Sequence, residues 1–188
     1  MDNQSIIAVT RRWISSMVIE LNLCPFAGRV FQADTIRYVV TLAEDAKALL
    51  NDLASELKAL SSASNERIET TLLIHPRALA NFLDYNDFLG DGDQLVEDLG
   101  LRGIVQIASF HPDYQFAGTD AGAVENYTNR SPYPMLHLLR EESITAVAAD
   151  ANELLEIPRR NKATLRRLGK EKVLEKLKAI QDGPSPTK

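Results

Sequence analysis

Three short apolar runs, residues 35–42, 69–74 and 103–110, are separated by longer segments whose apolar residues recur every three or four positions. The runs are rich in β-branched and aromatic residues, as in Thr35-Ile-Arg-Tyr-Val-Val-Thr-Leu42, and read as strands. Between the first two, Leu42, Ala46, Leu49, Leu50, Leu53, Leu57 and Leu60 describe one helical face, with Glu44 and Asp45 placed where carboxylates oppose the helix's positive end. A chain that alternates in this way must cover a sheet with helices, so the expected class is α+β or α/β, a single-domain mixed sheet with packed helices. The pattern leaves strand order open, and a ferredoxin-like arrangement is one of the orders it allows.

The remaining elements follow from the same periodicities. Ile6, Val9, Trp13, Ile14, Met17, Val18 and Leu21 predict a first helix that ends at Asn22-Leu-Cys-Pro-Phe26. His75-Pro76 is expected to start a helical segment carrying Leu79, Phe82 and Leu83, which Gly90-Asp-Gly-Asp93 interrupts before Leu95, Val96 and Leu99. Ser131-Pro132 has the form of a helix start, predicting a helix through Glu142, and Ile144 to Ala148 form a weaker strand candidate. At 188 residues the chain suits one domain over 1–181, and the Pro/Gly/Ser-containing stretch 182–188 reads as a flexible tail.

Charge and cysteine usage narrow the function classes. The net charge is −5, yet residues 159–188 hold ten Lys or Arg against three Asp or Glu, leaving eleven against twenty-three in the body. An acidic body with no RNA- or DNA-binding motif argues against nucleic acid as a partner, while the local basic face suits an acidic small molecule. The single cysteine excludes an internal disulfide framework. No secretory signal and no run of about twenty apolar residues is present, so a cytoplasmic protein off the membrane is expected.

Candidate chemistry gathers at four places. His111-Pro-Asp-Tyr-Gln-Phe116 leaves the third strand, making His111 a proton-transfer candidate with Asp113 as its orienting partner. Downstream, Arg130 precedes the Ser131-Pro132 signal and could clamp an anion, with His137 one turn from Arg140 and Glu141 if that segment is helical. Cys24 precedes Pro25, a residue suited to the first turn of a new helix, which makes Cys24 a possible nucleophile; the alternative is ordinary packing. Arg159 and Arg160 could reach a ligand or simply solvate a helix that Asn161 caps. Asp113, Asp120 and Glu125 have no spacing specific to a metal, and no metal or cofactor is assigned. A hydrolase or transferase acting on a phosphorylated or carboxylated compound, or a non-enzymatic anion-binding or protein-interaction domain, would use these residues.

The segments Leu21-Asn-Leu-Cys-Pro-Phe-Ala27, His111-Pro-Asp-Tyr-Gln-Phe-Ala-Gly118 and Tyr127 through Glu141, with Ile157-Pro-Arg-Arg-Asn161, together resemble DUF1415, a bacterial and plastid-associated family of unknown function. The resemblance spans nearly the whole chain apart from its extreme end. It implies one folding unit and brings no activity or ligand.

Overall fold

The computed structural model describes residues 2–145 and 151–183, with side chains from 155 onward in the second segment. Helix α1 (Asn3–Trp13) starts on Asp2, whose carboxylate accepts the Ser5 amide, and widens into a π-type turn over Ile14–Ile19. It stops where Asn22 takes a left-handed conformation (φ 51°), one that asparagine tolerates better than most residues. The short helix α2 (Ala27–Gln32) follows, then strand β1 (Ile36–Val40), helix α3 (Ala46–Ser62) and strand β2 (Thr70–Ile74). Helix α4 (Phe82–Asp98) leads to strand β3 (Val105–Phe110). Beyond a long loop come strand β4 (Met135–Arg140) and helices α5 (Glu141–Thr145), α6 (Ala151–Leu168) and α7 (Lys170–Asp182).

The four strands form one mixed sheet in the order β1-β2-β4-β3. β1 and β2 are parallel across the α3 crossover, and β4 lies antiparallel between β2 and β3. The parallel pair and the late insertion of β4 distinguish this sheet from an all-antiparallel ferredoxin-like one.

β4 corrects the sequence expectation of a helix here. Met135-Leu-His-Leu-Leu-Arg140 is a central strand, hydrogen-bonded on both edges, with Leu72 and Ala108 flanking His137 in register. A short apolar run covered on both faces does not reveal its period. Pro132 and Pro134 also force their predecessors Ser131 and Tyr133 toward extended backbone, which outweighs the Ser-Pro helix signal. The Ser131 hydroxyl accordingly donates to the Tyr133 carbonyl (2.6 Å).

Three other boundaries also move. α4 starts at Phe82, where the Asn81 side chain accepts the Leu83 and Asp84 amides, and runs unbroken through Gly90 and Gly92. Gly92 has a packing reason: a Cβ there would sit 3.3 Å from Ile107 and 3.5 Å from Leu53. Asn161 caps nothing. It is buried inside α6 and donates to the Leu23 carbonyl (2.6 Å). Ile144 and Thr145 are helical, while the remainder of that expected strand (146–148) and the tail from 184 lie outside the described residues.

Each sheet face carries its own core. On one, Leu73, Leu136, Leu138 and Val105 meet Leu49, Leu53, Leu57, Tyr85 and Phe88 of α3 and α4. On the other, Leu72, Ile74 and Met135 meet Trp13, Met17, Leu165, Val173 and Ile180 from α1, the π-type turn, α6 and α7. Among the described residues, no helix is long and apolar enough to cross a membrane.

Candidate functional site

The HPDYQF segment opens a loop that is tied at its neck and filled with its own hydrogen bonds. The His111 amide donates to the Asn129 carbonyl (3.2 Å), and the buried Asn126 side chain binds the Phe116 amide, the Thr119 hydroxyl and the Asp120 carbonyl. Arg130 belongs to this framework. Its guanidinium donates to the carbonyls of Tyr114 (3.1 Å) and Ala121 (2.7 Å) and lies 4.5 Å from the Tyr127 ring centre.

His111 is likewise engaged on both ring nitrogens. Nδ1 accepts the Asp113 amide (3.0 Å), which places the ring proton on Nε2, facing the Leu79 carbonyl at 3.2 Å. The partner on Nδ1 is thus the backbone of Asp113, whose exposed carboxylate contributes only its charge. Burial moves the His111 pKa below its ordinary value despite the opposing Leu79 carbonyl and Asp113 charge. The ring packs against Phe82 and Tyr85 on the α3/α4 side of the sheet. There His75 stacks on Tyr85 at 5.7 Å, and the Tyr85 phenol donates to the Met135 carbonyl and accepts the Phe110 amide.

His137 lies on the opposite face. The Thr70 hydroxyl donates to the Leu138 carbonyl (2.7 Å), which leaves its own oxygen to accept Nε2–H of the imidazole (2.7 Å). That tautomer leaves Nδ1 as the lone-pair acceptor of the ring. Burial pushes the His137 pKa down to about 4, so the ring is neutral at neutral pH. His111, Asp113, Arg130 and His137 are therefore not gathered into one pocket.

What His137 does border is a cavity of about 260 Å³ between the sheet and the N-terminal helices. Ile36, Leu72, Ala108, Phe110 and Leu139 form much of its floor, and Trp13, Ile14, Val18, Leu23, Phe26 and Val30 much of its roof. The polar groups on its wall are His137, Thr70, Gln106, Cys24, the buried Arg140 and, toward part-exposed Ser143, the ion pair of Arg29 with Glu69. Glu69 is buried and grips the half-exposed Arg29 through both carboxylate oxygens. The pair joins residues 40 positions apart, and no sequence signal announces it.

Cys24 shares this wall because the chain around it is pinned. The Leu23 amide donates to the Val18 carbonyl (2.8 Å), the Leu23 carbonyl is held by Asn161, and the Ala27 amide donates to the Cys24 carbonyl (3.2 Å). Burial raises the thiol's pKa, while hydrogen bonding from the Phe26 and Ala27 amides and the Arg160 charge pull it down; the net direction is up. Arg160 is exposed, and Arg159 pairs with Glu156 at 3.3 Å.

Glu125 is ion-paired with Arg166 (2.6 Å), which lowers its pKa. Among the described residues, no cluster of three His, Cys, Asp or Glu side chains has the geometry to hold a metal ion. No curated protein and no solved structure matches the chain. The segments that build the cavity wall and the tied loop fall within residues 5–175, which match the family described as protein of unknown function, DUF1415, and the chain belongs to that family.

Proposed function

We propose that the protein is a small-molecule hydrolase or transferase whose site is the cavity bordered by Cys24 and His137. The observation that carries this reading is the cavity itself: an apolar space of about 260 Å³ whose lining includes Cys24 and His137. Apolar pockets with a few convergent polar groups are where small ligands bind. The carboxylated arm of the expected ligand class fits better than the phosphorylated one. A phosphate dianion calls for several charged donors, and this wall supplies mainly hydrocarbon. Arg160 is exposed and outside the cavity lining, and Arg130 and His111 serve the loop. The setting is cytoplasmic, and nucleic acid is not a proposed partner. A non-enzymatic binding domain would use the same cavity without turnover, a reading favoured by the raised thiol pKa.

Thermal unfolding with a series of aliphatic and aromatic carboxylic acids tests cavity binding. At about 100 times Kd a ligand adds about 2.7 kcal/mol, which raises Tm by roughly 5–10 °C for a chain of this size. Ala108→Leu, which fills the cavity, should abolish the shift. No shift in the native protein, or an equal shift in Ala108→Leu, would overturn the reading.

A further inference from the structure

We infer, on the reading that this cavity is the ligand site, that its occupant is a monocarboxylate with a compact apolar body, whose carboxylate is received by the unpartnered Nε–H of Arg140. Arg140 is the last residue of β4, borders the cavity and is only 6% exposed. Its Nη2 donates to the carbonyls of Leu60, Ala63 and Ile68, which fixes the guanidinium at the C-terminal end of α3. Its Nε–H is buried and has no hydrogen-bond partner. Buried donors are nearly always paired, and one on a charged group is the costliest to leave unmade.

The charges at this end of the cavity do not balance either. Thr70 pairs with Leu139, so Glu69, Arg140 and Ser143 come together at one end of the sheet. There Glu69 neutralises Arg29 through both carboxylate oxygens, and among the described residues Arg140 has no carboxylate partner. The end of α3 offers Arg140 about half a negative charge. The rest of its unit charge sits in low dielectric, where charges are stable only when paired. One anionic group completes the set.

Size and the neighbouring cleft fix the class of ligand. At roughly 30 Å³ per water-sized group, the cavity of about 260 Å³ takes about eight or nine non-hydrogen atoms. Benzoate and heptanoate fit; a long fatty acid does not. Beyond Arg29, an open cleft shares Arg29, Glu69 and Ser143 with the cavity and adds the exposed Glu66 and Glu142. Their carboxylates repel a second negative charge on the ligand, which selects a single carboxylate over a dicarboxylate or a phosphate dianion.

The test is isothermal titration of the full chain with heptanoate and benzoate against octan-2-one and acetophenone, which replace one carboxylate oxygen by a methyl group at nearly constant volume. Each acid is expected to bind about 10- to 100-fold more tightly than its ketone, the worth of a hydrogen bond between charged groups. Heptanedioate should bind about tenfold more weakly than heptanoate. Arg140→Gln keeps an amide donor toward the α3 carbonyls and removes the charge, so it should erase the preference for acid over ketone. If that variant does not fold, the carboxyl resonance of carbon-13-labelled heptanoate bound to the native protein decides. Burial alone raises the pKa of a carboxylic acid and a guanidinium lowers it, so the bound acid should titrate below the free one, and a midpoint above that of the free acid overturns the anchor. Ketones binding as tightly as the acids overturn the carboxylate site and leave cavity binding standing. An acid preference unchanged in folded Arg140→Gln overturns Arg140 as the receiver, and equal affinity for heptanedioate overturns the selection for one charge. No binding of acid or ketone overturns both readings.

Discussion

His111 shows how one residue can look catalytic in sequence and act as a clamp in structure. Its Nε2–H holds the carbonyl of Leu79, a non-glycine residue in the left-handed region (φ 54°), and its Nδ1 holds the start of the loop through Asp113. A conformation of that kind costs of order 1–3 kcal/mol and persists where its surroundings enforce it. We therefore expect His111→Ala to lower the unfolding free energy by about 2–3 kcal/mol, from two lost hydrogen bonds and a cavity beside Phe82 and Tyr85. Urea unfolding measures the loss. If His111→Ala leaves stability unchanged, the clamp assignment is wrong. The HPD sequence made the histidine conspicuous, but its partners are a carbonyl 32 positions upstream and a backbone amide, neither of which has a sequence signature.

Helix α3, buried on one side, was legible in sequence, and strand β4, buried on both, was not. α3 announced itself by the spacing of Leu49, Leu53, Leu57 and Leu60, all fully buried, and Asp45 caps it through the Ala48 amide. β4 is covered on both faces, so its leucines carry no period, and only the doubled X-Pro pattern pointed to extended chain. In α4 the glycine pair reads as a break, yet its two members differ. Gly90 is exposed, with nothing within 4 Å of an added Cβ, whereas Gly92 meets Ile107 and Leu53. Gly90→Ala should stabilise the protein by about 0.5–1 kcal/mol through helix propensity. Gly92→Leu should destabilise it by about 1–3 kcal/mol through overpacking. Parallel denaturant titrations decide the matter, and equal effects at the two sites would contradict this packing of α4 on β3.

At the scale of the whole molecule, the sheet separates two histidines that titrate alike. His75, stacked on Tyr85, and His137, at the cavity wall, are each pushed by burial to about 4. Their folded values lie below the ordinary value of 6.5, so the unfolded chain binds more protons in that interval, and stability rises with pH. Their contribution should be complete above pH 6.5 and drain away between 6.5 and about 4, by a few kcal/mol in total. Urea midpoints across that range measure it, and His75→Gln should flatten the slope; an unchanged slope would reject the assignment for His75. The layered α/β class, three strands, the first two long helices and the family relationship were readable from the chain, because periodicity and short motifs are local properties. Tertiary structure alone decided that β4 enters the sheet between β2 and β3, and that His111 and His137 lie on opposite faces. It also decided that Cys24 and His137 border one cavity, since this depends on strand order and on Asn161 reaching Leu23 across 138 positions. Those arrangements are contacts between distant segments, stabilised by burial that no local window of sequence contains.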